Sequence, residues 1–353
     1  MAKELWKGNE AIAEAAIRAG CKYFFGYPIT PQNEIPEYLS LHLPKIGGCF
    51  LQAESEVAAI NMVYGAAGCG KRVMTSSSSP GISLKQEGIT YICGAELPAV
   101  IVNMMRGGPG LGTIQPAQGD YFQATRGGGN GDYRHLVYAP ATIQEAADFV
   151  QLAFDVADHY RNPVMILADG MIGQMMEAIE WRELPKRELP EKTWATTGTK
   201  EARQPNVINS LYIDPNLCAE HNERLAKKYA AMEENEVLWE EYNTEDCEVL
   251  FVAYGTPSRI ARAAIRQLEK EGIKAGLLRP ITLWPFPHKA LKAAAQQASV
   301  KAVVDVELSM GQMIDDVKIA LEGCKPVSFV GKAGGVVPTP ADVCAAAKAA
   351  IGR

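Results

Sequence analysis

Helical patterns alternate with short apolar strand patterns over residues 8–180, and this alternation limits the fold more than any other feature of the sequence. Helices are predicted over residues 9–18 and 140–159, and strands over residues 23–26, 72–75, 99–103 and 163–168. Such alternation is typical of a parallel sheet that is covered by helices. We therefore predict an α/β domain over residues 1–180.

A change in composition separates a second predicted domain from the first. Between residues 181 and 246, Arg, Lys, Glu and Pro dominate, and residues 217–242 are predicted to form one long polar helix, so we interpret this segment as a linker. The alternation then resumes, with strands predicted over 249–255, 275–278 and 302–306 and helices over 257–270 and 287–298. Residues 247–353 are therefore predicted to form a smaller α/β domain.

Charge and hydropathy exclude several classes of partner. The formal net charge of the 353 residues is -6 and no basic block occurs, so nucleic acid is not an expected partner. No apolar run reaches the length of a membrane span, and the N-terminal residues lack the apolar core of a signal peptide. We expect a cytoplasmic protein that binds neither nucleic acid nor a membrane.

The eight cysteines are scattered along the chain, and none forms a CxxC pair. We expect them to be reduced thiols that are mostly buried. Iron–sulfur clusters and structural zinc sites need closely spaced cysteines, so neither is predicted in this chain. If the protein takes part in electron transfer, another chain must carry the electrons.

Three segments contain residues suited to binding and activating an acid. Prolines stiffen the segment Tyr27-Pro-Ile-Thr-Pro31 and so present Thr30 in a fixed position. Glu54 and Glu56 stand at the entrance of an apolar run that predicts a buried helix. A predicted strand leads into Arg106, which glycines follow. A cation and a flexible turn at the end of a strand are suited to bind an acid.

The order and spacing of these segments resemble those of the thiamine-diphosphate-dependent 2-oxoacid:ferredoxin oxidoreductases, specifically the separate α subunit of the 2-oxoisovalerate and 2-oxoglutarate members. The resemblance covers almost the whole chain and rests on the motifs Gly8-Asn-Glu-Ala11, Tyr27-Pro-Ile-Thr-Pro31, Glu54-Ser-Glu56, Arg106-Gly-Gly-Pro109 and Leu278-Arg-Pro-Ile-Thr-Leu-Trp-Pro-Phe-Pro287. It implies a pyrimidine-binding domain of the thiamine diphosphate type, a connector, and a transketolase C-terminal-like domain.

The resemblance also implies roles for individual residues. Glu56 would be the catalytic carboxyl group that hydrogen-bonds the aminopyrimidine ring of the cofactor, and Ile29 and Ser78 would contact the cofactor with it. Arg106 would clamp the carboxylate of the substrate through its planar guanidinium, and Thr30 would add a hydrogen bond from its hydroxyl.

Simpler interpretations stay open on the residues alone. Glu56 is also typical of an acid at a helix N-terminus, and Glu54 is a rival for the catalytic role. Arg106 is also typical of a surface arginine, and Thr30 of a helix N-cap. The serines at positions 76–79 are also typical of a turn.

One motif of the thiamine enzymes is missing. They hold magnesium and the diphosphate through a Gly-Asp-Gly motif, and this string does not occur here. The resemblance therefore implies a separate β subunit that carries the motif and the metal, and no metal site in this chain. It further implies a γ subunit, a ferredoxin-like iron–sulfur subunit and ferredoxin as partners, with iron–sulfur clusters only on partner chains. Coenzyme A would receive the acyl group.

The implied reaction is the oxidative decarboxylation of a 2-oxoacid, and we expect 2-oxoisovalerate as the substrate. The alternative within the family is 2-oxoglutarate, whose second carboxylate would need a further cation from Lys71, Arg72 or Arg126. The alternative outside the class is a non-catalytic scaffold that keeps the fold and a partner. The presence of Glu56 together with Thr30 and Arg106 argues against it.

Overall fold

Three β-sheets organise the chain in the computed structural model, which describes residues 3–185 and 187–353. The strands are β1 (Glu4–Lys7), β2 (Tyr23–Gly26), β3 (Cys49–Gln52), β4 (Val73–Ser77), β5 (Ala99–Met105), β6 (Leu136–Tyr138), β7 (Pro163–Asp169), β8 (Met176–Ile179), β9 (Trp239–Tyr242), β10 (Val249–Val252), β11 (Ala275–Pro280), β12 (Thr282–Trp284), β13 (Ala302–Glu307) and β14 (Val327–Gly331). The helices are α1 (Gly8–Arg18), α2 (Glu34–His42), α3 (Glu56–Gly68), α4 (Ser79–Gly94), α5 (Tyr121–Arg126), α6 (Ile143–Tyr160), α7 (Gly170–Gln174), α8 (Pro215–Asn235), α9 (Gly255–Lys270), α10 (His288–Ala295), α11 (Met313–Leu321) and α12 (Pro340–Ala350).

The largest sheet has seven strands in the order β12-β6-β7-β5-β4-β2-β3. Its strands pair in parallel, except that the edge strand β12 is antiparallel to β6. β5 and β7 are buried along their whole length, as expected of parallel strands that are covered on both faces. On this sheet α1 packs against α6, and α3 packs against α4. The predicted parallel sheet covered by helices is therefore confirmed.

A second sheet of five strands has the order β14-β13-β10-β11-β9, and its edge strand corrects one prediction. The polar helix predicted over residues 217–242 is wrong at its C-terminal end. Helix α8 ends at Asn235, and residues Trp239–Tyr242 form β9, which pairs antiparallel with β11. Local sequence preference is weak for such a short segment, and pairing with a neighbouring strand overrides it.

Strand β12 crosses the predicted division between the two domains. Its residues follow the second sheet's β11 in the chain, yet they pair with β6 of the seven-stranded sheet. One hydrophobic core also contains residues from both parts of the chain, such as Val102 and Leu250. The domain boundaries at residues 180 and 246 stay a prediction.

Polar contacts fix the C-terminal part of the chain to the carboxyl ends of the central strands. Asp169, the last residue of β7, accepts hydrogen bonds from the backbone N–H of Thr256 at 3.2 Å and from its hydroxyl at 2.9 Å. Gln118 donates from Nε2 to the carbonyl of Tyr254 at 3.0 Å and from its backbone N–H to the carbonyl of Leu308 at 2.8 Å. The segment that follows β5 is therefore held against the second sheet.

All eight cysteines are free thiols, but fewer of them are buried than predicted. Cys21, Cys93, Cys247 and Cys344 are buried, whereas Cys49, Cys69 and Cys324 are exposed. The exposed ones lie at the ends of strands and helices, where the chain turns at the surface. Separately, the described part of the chain has no helix that is both long and apolar enough to cross a membrane.

Candidate active site

Glu56 begins helix α3 and is buried. The hydroxyl of Ser55 caps this helix by accepting a hydrogen bond from the N–H of Ala58 at 3.2 Å, which fixes the start of α3 at Glu56. Glu56 is only 6% exposed, whereas Glu54 is exposed and accepts a hydrogen bond from Ser55 at 3.2 Å. Burial therefore favours Glu56 over Glu54 as the carboxylate of an enclosed site.

The carboxylate of Glu56 lies directly against Gly81 in helix α4. A Cβ atom at position 81 would stand 2.6 Å from Oε1 of Glu56 and 2.0 Å from Oγ of Ser77, which is closer than non-bonded atoms approach. Glycine is therefore needed at this position to leave room for both side chains. The start of α3 and the first turn of α4 thus meet around one carboxylate and one hydroxyl.

The four serines between positions 76 and 79 join strand β4 to helix α4, so their interpretation as a turn is wrong. Ser76 and Ser77 end β4, Ser78 precedes α4, and Ser79 begins it. All four are buried, and the hydroxyls of Ser77 and Ser78 have no hydrogen-bond partner among the described residues. Buried hydroxyls nearly always have a partner, so these two are available to a bound molecule.

Hydrogen bonds hold the loop that carries Thr30. Asn9 and Gln174 each donate a side-chain N–H to the carbonyl of Pro31, at 2.8 Å and 2.9 Å. The hydroxyl of Thr30 accepts a hydrogen bond from Nδ2 of Asn33 at 3.2 Å. Because Asn33 and not Thr30 immediately precedes α2, the interpretation of Thr30 as a helix N-cap is wrong.

Arg106 directly follows β5, and its guanidinium joins two loops. Nη1 donates to the carbonyl of Thr30 at 3.0 Å, and Nη2 donates to the carbonyl of Leu111 at 3.1 Å. Nε is buried and has no partner within the described residues. A guanidinium has five N–H donors, so these two bonds leave donors for a carboxylate. Arg106 is half-buried and contacts Thr30, so it is not a free surface arginine.

A partly buried acid that the sequence motifs did not indicate, Asp120, lies beside Arg106. Asp120 accepts hydrogen bonds from Oγ of Ser79 at 2.6 Å and from Nδ2 of Asn103 at 2.9 Å. Ser79 in turn accepts from the backbone N–H of Arg106 at 3.1 Å. Burial raises the pKa of Asp120 above its ordinary value, although the bonds from Ser79 and Asn103 act in the opposite direction. Asp120 therefore fixes the backbone of Arg106 through Ser79.

A second residue that the motifs did not indicate is Lys85, in the middle of α4. It is fully buried, and its Nζ donates to Oγ1 of Thr75 at 2.7 Å and to the carbonyl of Ser76 at 3.0 Å. Burial lowers the pKa of Lys85 to about 7, and the charge of Glu56 acts in the opposite direction. A lysine among apolar and small residues of a helix was the signal in the sequence.

Two of the three cations considered for a second substrate carboxylate lie at the opposite end of β4 from the serines. Lys71 and Arg72 precede β4, whereas Ser77 ends it, so a full strand separates them from the serines. Arg72 also forms ion pairs with two aspartates of α6, at 2.5 Å and 2.9 Å. Arg126 pairs with an aspartate of α11 at 3.3 Å. The prediction that Lys71 or Arg72 serves a 2-oxoglutarate substrate is therefore wrong.

Two family descriptions match successive parts of the chain. Residues 14–241 match "Pyruvate flavodoxin/ferredoxin oxidoreductase, thiamine diP-bdg", and residues 247–343 match "Pyruvate:ferredoxin oxidoreductase core domain II". The first match alone covers more than half of the chain. The chain belongs to the pyruvate flavodoxin/ferredoxin oxidoreductase family, which confirms the predicted class of enzyme.

Individual relatives indicate which subunit of these enzymes the chain resembles. The ketoisovalerate oxidoreductase subunit VorB of Methanothermobacter marburgensis is 51% identical over 335 residues, which cover 95% of this chain and 94% of the relative. The 2-oxoglutarate synthase subunit KorA of Methanocaldococcus jannaschii is 35% identical, with 97% of this chain and 98% of the relative covered. The resemblance to α-type subunits of 2-oxoacid:ferredoxin oxidoreductases is therefore confirmed.

Solved structures support the same fold. A 2-oxoglutarate:ferredoxin oxidoreductase from Magnetococcus marinus, with 2-oxoglutarate, coenzyme A and succinyl-CoA bound, matches with a TM-score of 0.85 at 26% identity. The match covers 99% of this chain but only 65% of that chain. A split gene transketolase, an inactive beta4 tetramer, matches with a TM-score of 0.61 at 18% identity and covers 98% of both chains. The predicted fold class is thus confirmed.

Proposed function

We propose that this chain is the α subunit of a thiamine-diphosphate-dependent enzyme that oxidatively decarboxylates 2-oxoisovalerate to an acyl-coenzyme A and CO2. The observation that carries the proposal is the packing of Glu56 on Gly81 beside the partnerless hydroxyls of Ser77 and Ser78. The 51% identity to a ketoisovalerate oxidoreductase subunit supports a branched-chain substrate.

The residues around Glu56 fit the aminopyrimidine part of thiamine diphosphate. A buried carboxyl group can donate its proton in a hydrogen bond to a ring nitrogen, and the free hydroxyl of Ser78 suits a polar substituent of the ring. Ile29, half-buried in the Thr30 loop, adds an apolar contact. We therefore assign Glu56, Ser78 and Ile29 to the cofactor.

Glu56 is the one acid–base group of this chain to which we assign a role in the reaction. Thiamine diphosphate, when bound, supplies the carbon nucleophile that attacks the ketone of the substrate. Glu56 holds a proton at the pyrimidine ring nitrogen, and burial keeps water from competing for that bond. Arg106 and Thr30 orient the substrate by binding its carboxylate. Asp120 holds Arg106 in place through Ser79.

A cavity beside Thr30 supports an apolar substrate side chain. It has a volume of about 370 Å³, and its lining includes Ile114, Pro116 and Met171 as well as Glu34. Burial opposes ionisation of Glu34, but hydrogen bonds from a lysine and an asparagine outweigh it and hold the pKa of Glu34 below its ordinary value. Lys7 pairs with Glu34 at 2.5 Å, and the described residues that line the cavity include no lysine or arginine to bind the second carboxylate of 2-oxoglutarate. The cavity therefore suits the isopropyl group of 2-oxoisovalerate better.

Exposed apolar side chains beside Glu56 support completion of the site by a partner chain. Val57 follows Glu56 and is 45% exposed, and Leu84, one turn after Gly81, is 55% exposed. Apolar groups at the rim of a polar site are typical of an interface. We assign the diphosphate and magnesium to a β subunit with a Gly-Asp-Gly motif. A γ subunit and a ferredoxin-like iron–sulfur subunit complete the enzyme, which passes electrons to ferredoxin and the acyl group to coenzyme A.

Calorimetry on the isolated chain and on the assembled complex tests this division of the site. We expect the isolated chain to be colourless and to bind thiamine diphosphate weakly, and the complex to bind it tightly in the presence of magnesium. Tight magnesium-dependent binding by the isolated chain contradicts the division. Ferredoxin reduction by the complex tests the substrate, and faster turnover of 2-oxoglutarate than of 2-oxoisovalerate contradicts our choice.

A further inference from the structure

One wall of the cavity to which we assign the substrate side chain is a loop over residues 107–116, which we call the substrate loop. Residues 114–116 line the cavity. Two backbone hydrogen bonds fold the loop back on itself. Gly107 donates its N–H to the carbonyl of Gln115 at 2.9 Å, and Thr113 donates its N–H to the carbonyl of Gly107 at 2.8 Å. The cavity wall is therefore a defined structure and not a loose strap.

The substrate loop also contacts Arg106, to which we assign the substrate carboxylate. Nη2 of Arg106 donates to the carbonyl of Leu111 at 3.1 Å, and Arg106 forms an isolated β-bridge with Pro116. The side-chain wall and the carboxylate clamp thus share one loop. Every 2-oxoacid has the same carboxylate, so a preference among 2-oxoacids reports on the wall and not on the clamp.

A turn that follows β14, in the C-terminal part of the chain, packs directly on the substrate loop. A Cβ atom at Gly335 would stand 2.4 Å from Cβ of Gln115 and 3.1 Å from Cγ2 of Thr113. Likewise, a Cβ atom at Gly107 would stand 2.7 Å from Cγ2 of Thr113 and 3.1 Å from the main-chain carbon of Gly334. The turn and the loop therefore approach each other only because glycines stand at the contact.

We propose that Gly335 is a positioning residue for the substrate loop: its missing side chain lets the turn after β14 seat the loop, and so sets which 2-oxoacid side chain the cavity accepts. This inference rests on the proposed function and deepens it, because it gives the C-terminal part of the chain a share in substrate selection. One methylene more or less in an apolar pocket changes selectivity by about 10- to 200-fold, so a small displacement of the wall is measurable.

Hydrogen exchange in the full-length chain tests the contact without turnover. In Gly335→Ala the added methyl must displace the loop, so the N–H groups of Gly107 and Thr113 should exchange about tenfold faster, measured by mass spectrometry on peptides from the substrate loop. Gly323→Ala is the matched control. Gly323 has a φ of +77°, close to the +90° of Gly335, but nothing lies within 4 Å of the added atom. Equal exchange in the two variants overturns the proposal.

The assembled complex supplies the second readout. The isopropyl group of 2-oxoisovalerate reaches farther into the cavity than the methyl group of pyruvate, so a displaced wall harms its fit more. In Gly335→Ala the ratio of kcat/KM for 2-oxoisovalerate to that for pyruvate should fall about tenfold, mainly through KM, and Gly323→Ala should keep the ratio. An equal loss of kcat for both substrates, with the ratio kept, contradicts a role in selection.

Thr113→Ser loosens the same contact without overlap, and it serves where Gly335→Ala fails to fold. It removes the methyl group that lies near both Gly107 and Gly335 and keeps the hydroxyl. We expect faster exchange in the substrate loop and a lower ratio, each by a smaller factor than in Gly335→Ala. Unchanged exchange and an unchanged ratio overturn the proposal. A complex that turns over no 2-oxoacid contradicts the proposed function, whereas the exchange result reports on the contact alone.

Discussion

Arg106 and Thr30 meet through one hydrogen bond, from Nη1 of the arginine to the main-chain carbonyl of the threonine, at 3.0 Å. Because the bond uses the backbone of Thr30, the hydroxyl proton of Thr30 stays available, as does the Nε donor of Arg106. Two donors from separate loops therefore converge, which is the arrangement that a carboxylate needs.

Replacement of these two residues should weaken the use of every 2-oxoacid. Losing a charge-assisted clamp costs about 2 to 5 kcal/mol, and losing one hydroxyl bond to a charged group costs roughly 1.5 to 3 kcal/mol. Arg106→Ala should therefore lower kcat/KM more than Thr30→Ala, and by similar factors for pyruvate, 2-oxoisovalerate and 2-oxoglutarate. Arg126→Ala is the control. A loss confined to 2-oxoglutarate would place Arg106 at the distal carboxylate instead.

Glu56→Gln should abolish hydrogen–deuterium exchange at the thiazolium carbon of the cofactor in the assembled complex. The amide keeps the size of the side chain but cannot serve as the carboxyl group at the pyrimidine nitrogen. Exchange is followed by NMR after acid quench, and subunit assembly by gel filtration should not change. Loss of exchange in Glu54→Gln, with exchange retained in Glu56→Gln, would move the catalytic role to Glu54.

Gly81→Ala should damage both stability and cofactor binding, whereas Gly65→Ala should not. The added methyl at position 81 meets Glu56 Oε1 at 2.6 Å and Ser77 Oγ at 2.0 Å, and relief of such overlap costs about 1 to 3 kcal/mol. At position 65, within α3, nothing lies within 4 Å of the added atom, and alanine should stabilise the helix by up to about 1 kcal/mol. Urea unfolding of both variants checks this, and equal midpoints would refute the close packing.

Acid should destabilise the chain through His135. It is 2% exposed and neither ring nitrogen has a hydrogen-bond partner among the described residues. Burial, and then the charge of Arg134, lower the pKa of His135 from 6.5 to about 4. The unfolded state thus binds more protons between these values, so stability falls as the pH drops from 6.5 towards 4, by about 3 kcal/mol in total.

The test is urea unfolding of His135→Phe and of the unmodified chain between pH 4 and pH 8. The difference in free energy of unfolding should shift in favour of the variant as the pH falls through this window. His159→Phe, at an exposed position, is the control and should run parallel to the unmodified chain. A parallel course for His135→Phe as well would show that His135 binds protons equally in the folded and unfolded states, and would contradict the lowered pKa.

The central strands were predictable from sequence because burial on both faces leaves a continuous apolar run. β5 and β7 are of this kind, whereas β3 is largely exposed and was missed, and β9 was mistaken for helix. Edge strands owe their conformation to one neighbour, and the neighbour is not visible in the local sequence.

Some residues of the candidate site were likewise predictable from sequence, and others were not. Glu56, Thr30 and Arg106 belong to motifs with a family resemblance, and the structure brings Arg106 and Thr30 into contact. Asp120 follows a glycine-rich loop and resembles a surface residue in sequence. Only the folded chain brings it to Ser79, 41 positions away.

The pairing of β12 with β6 has a consequence for how the chain unfolds. A cut between the two halves at residue 246 would strip Trp284 and its neighbours from β6 and leave that strand as a bare edge, open to pairing with other molecules. Loss of the five-stranded sheet should therefore disturb the edge of the seven-stranded sheet as well, and these two sheets should unfold together.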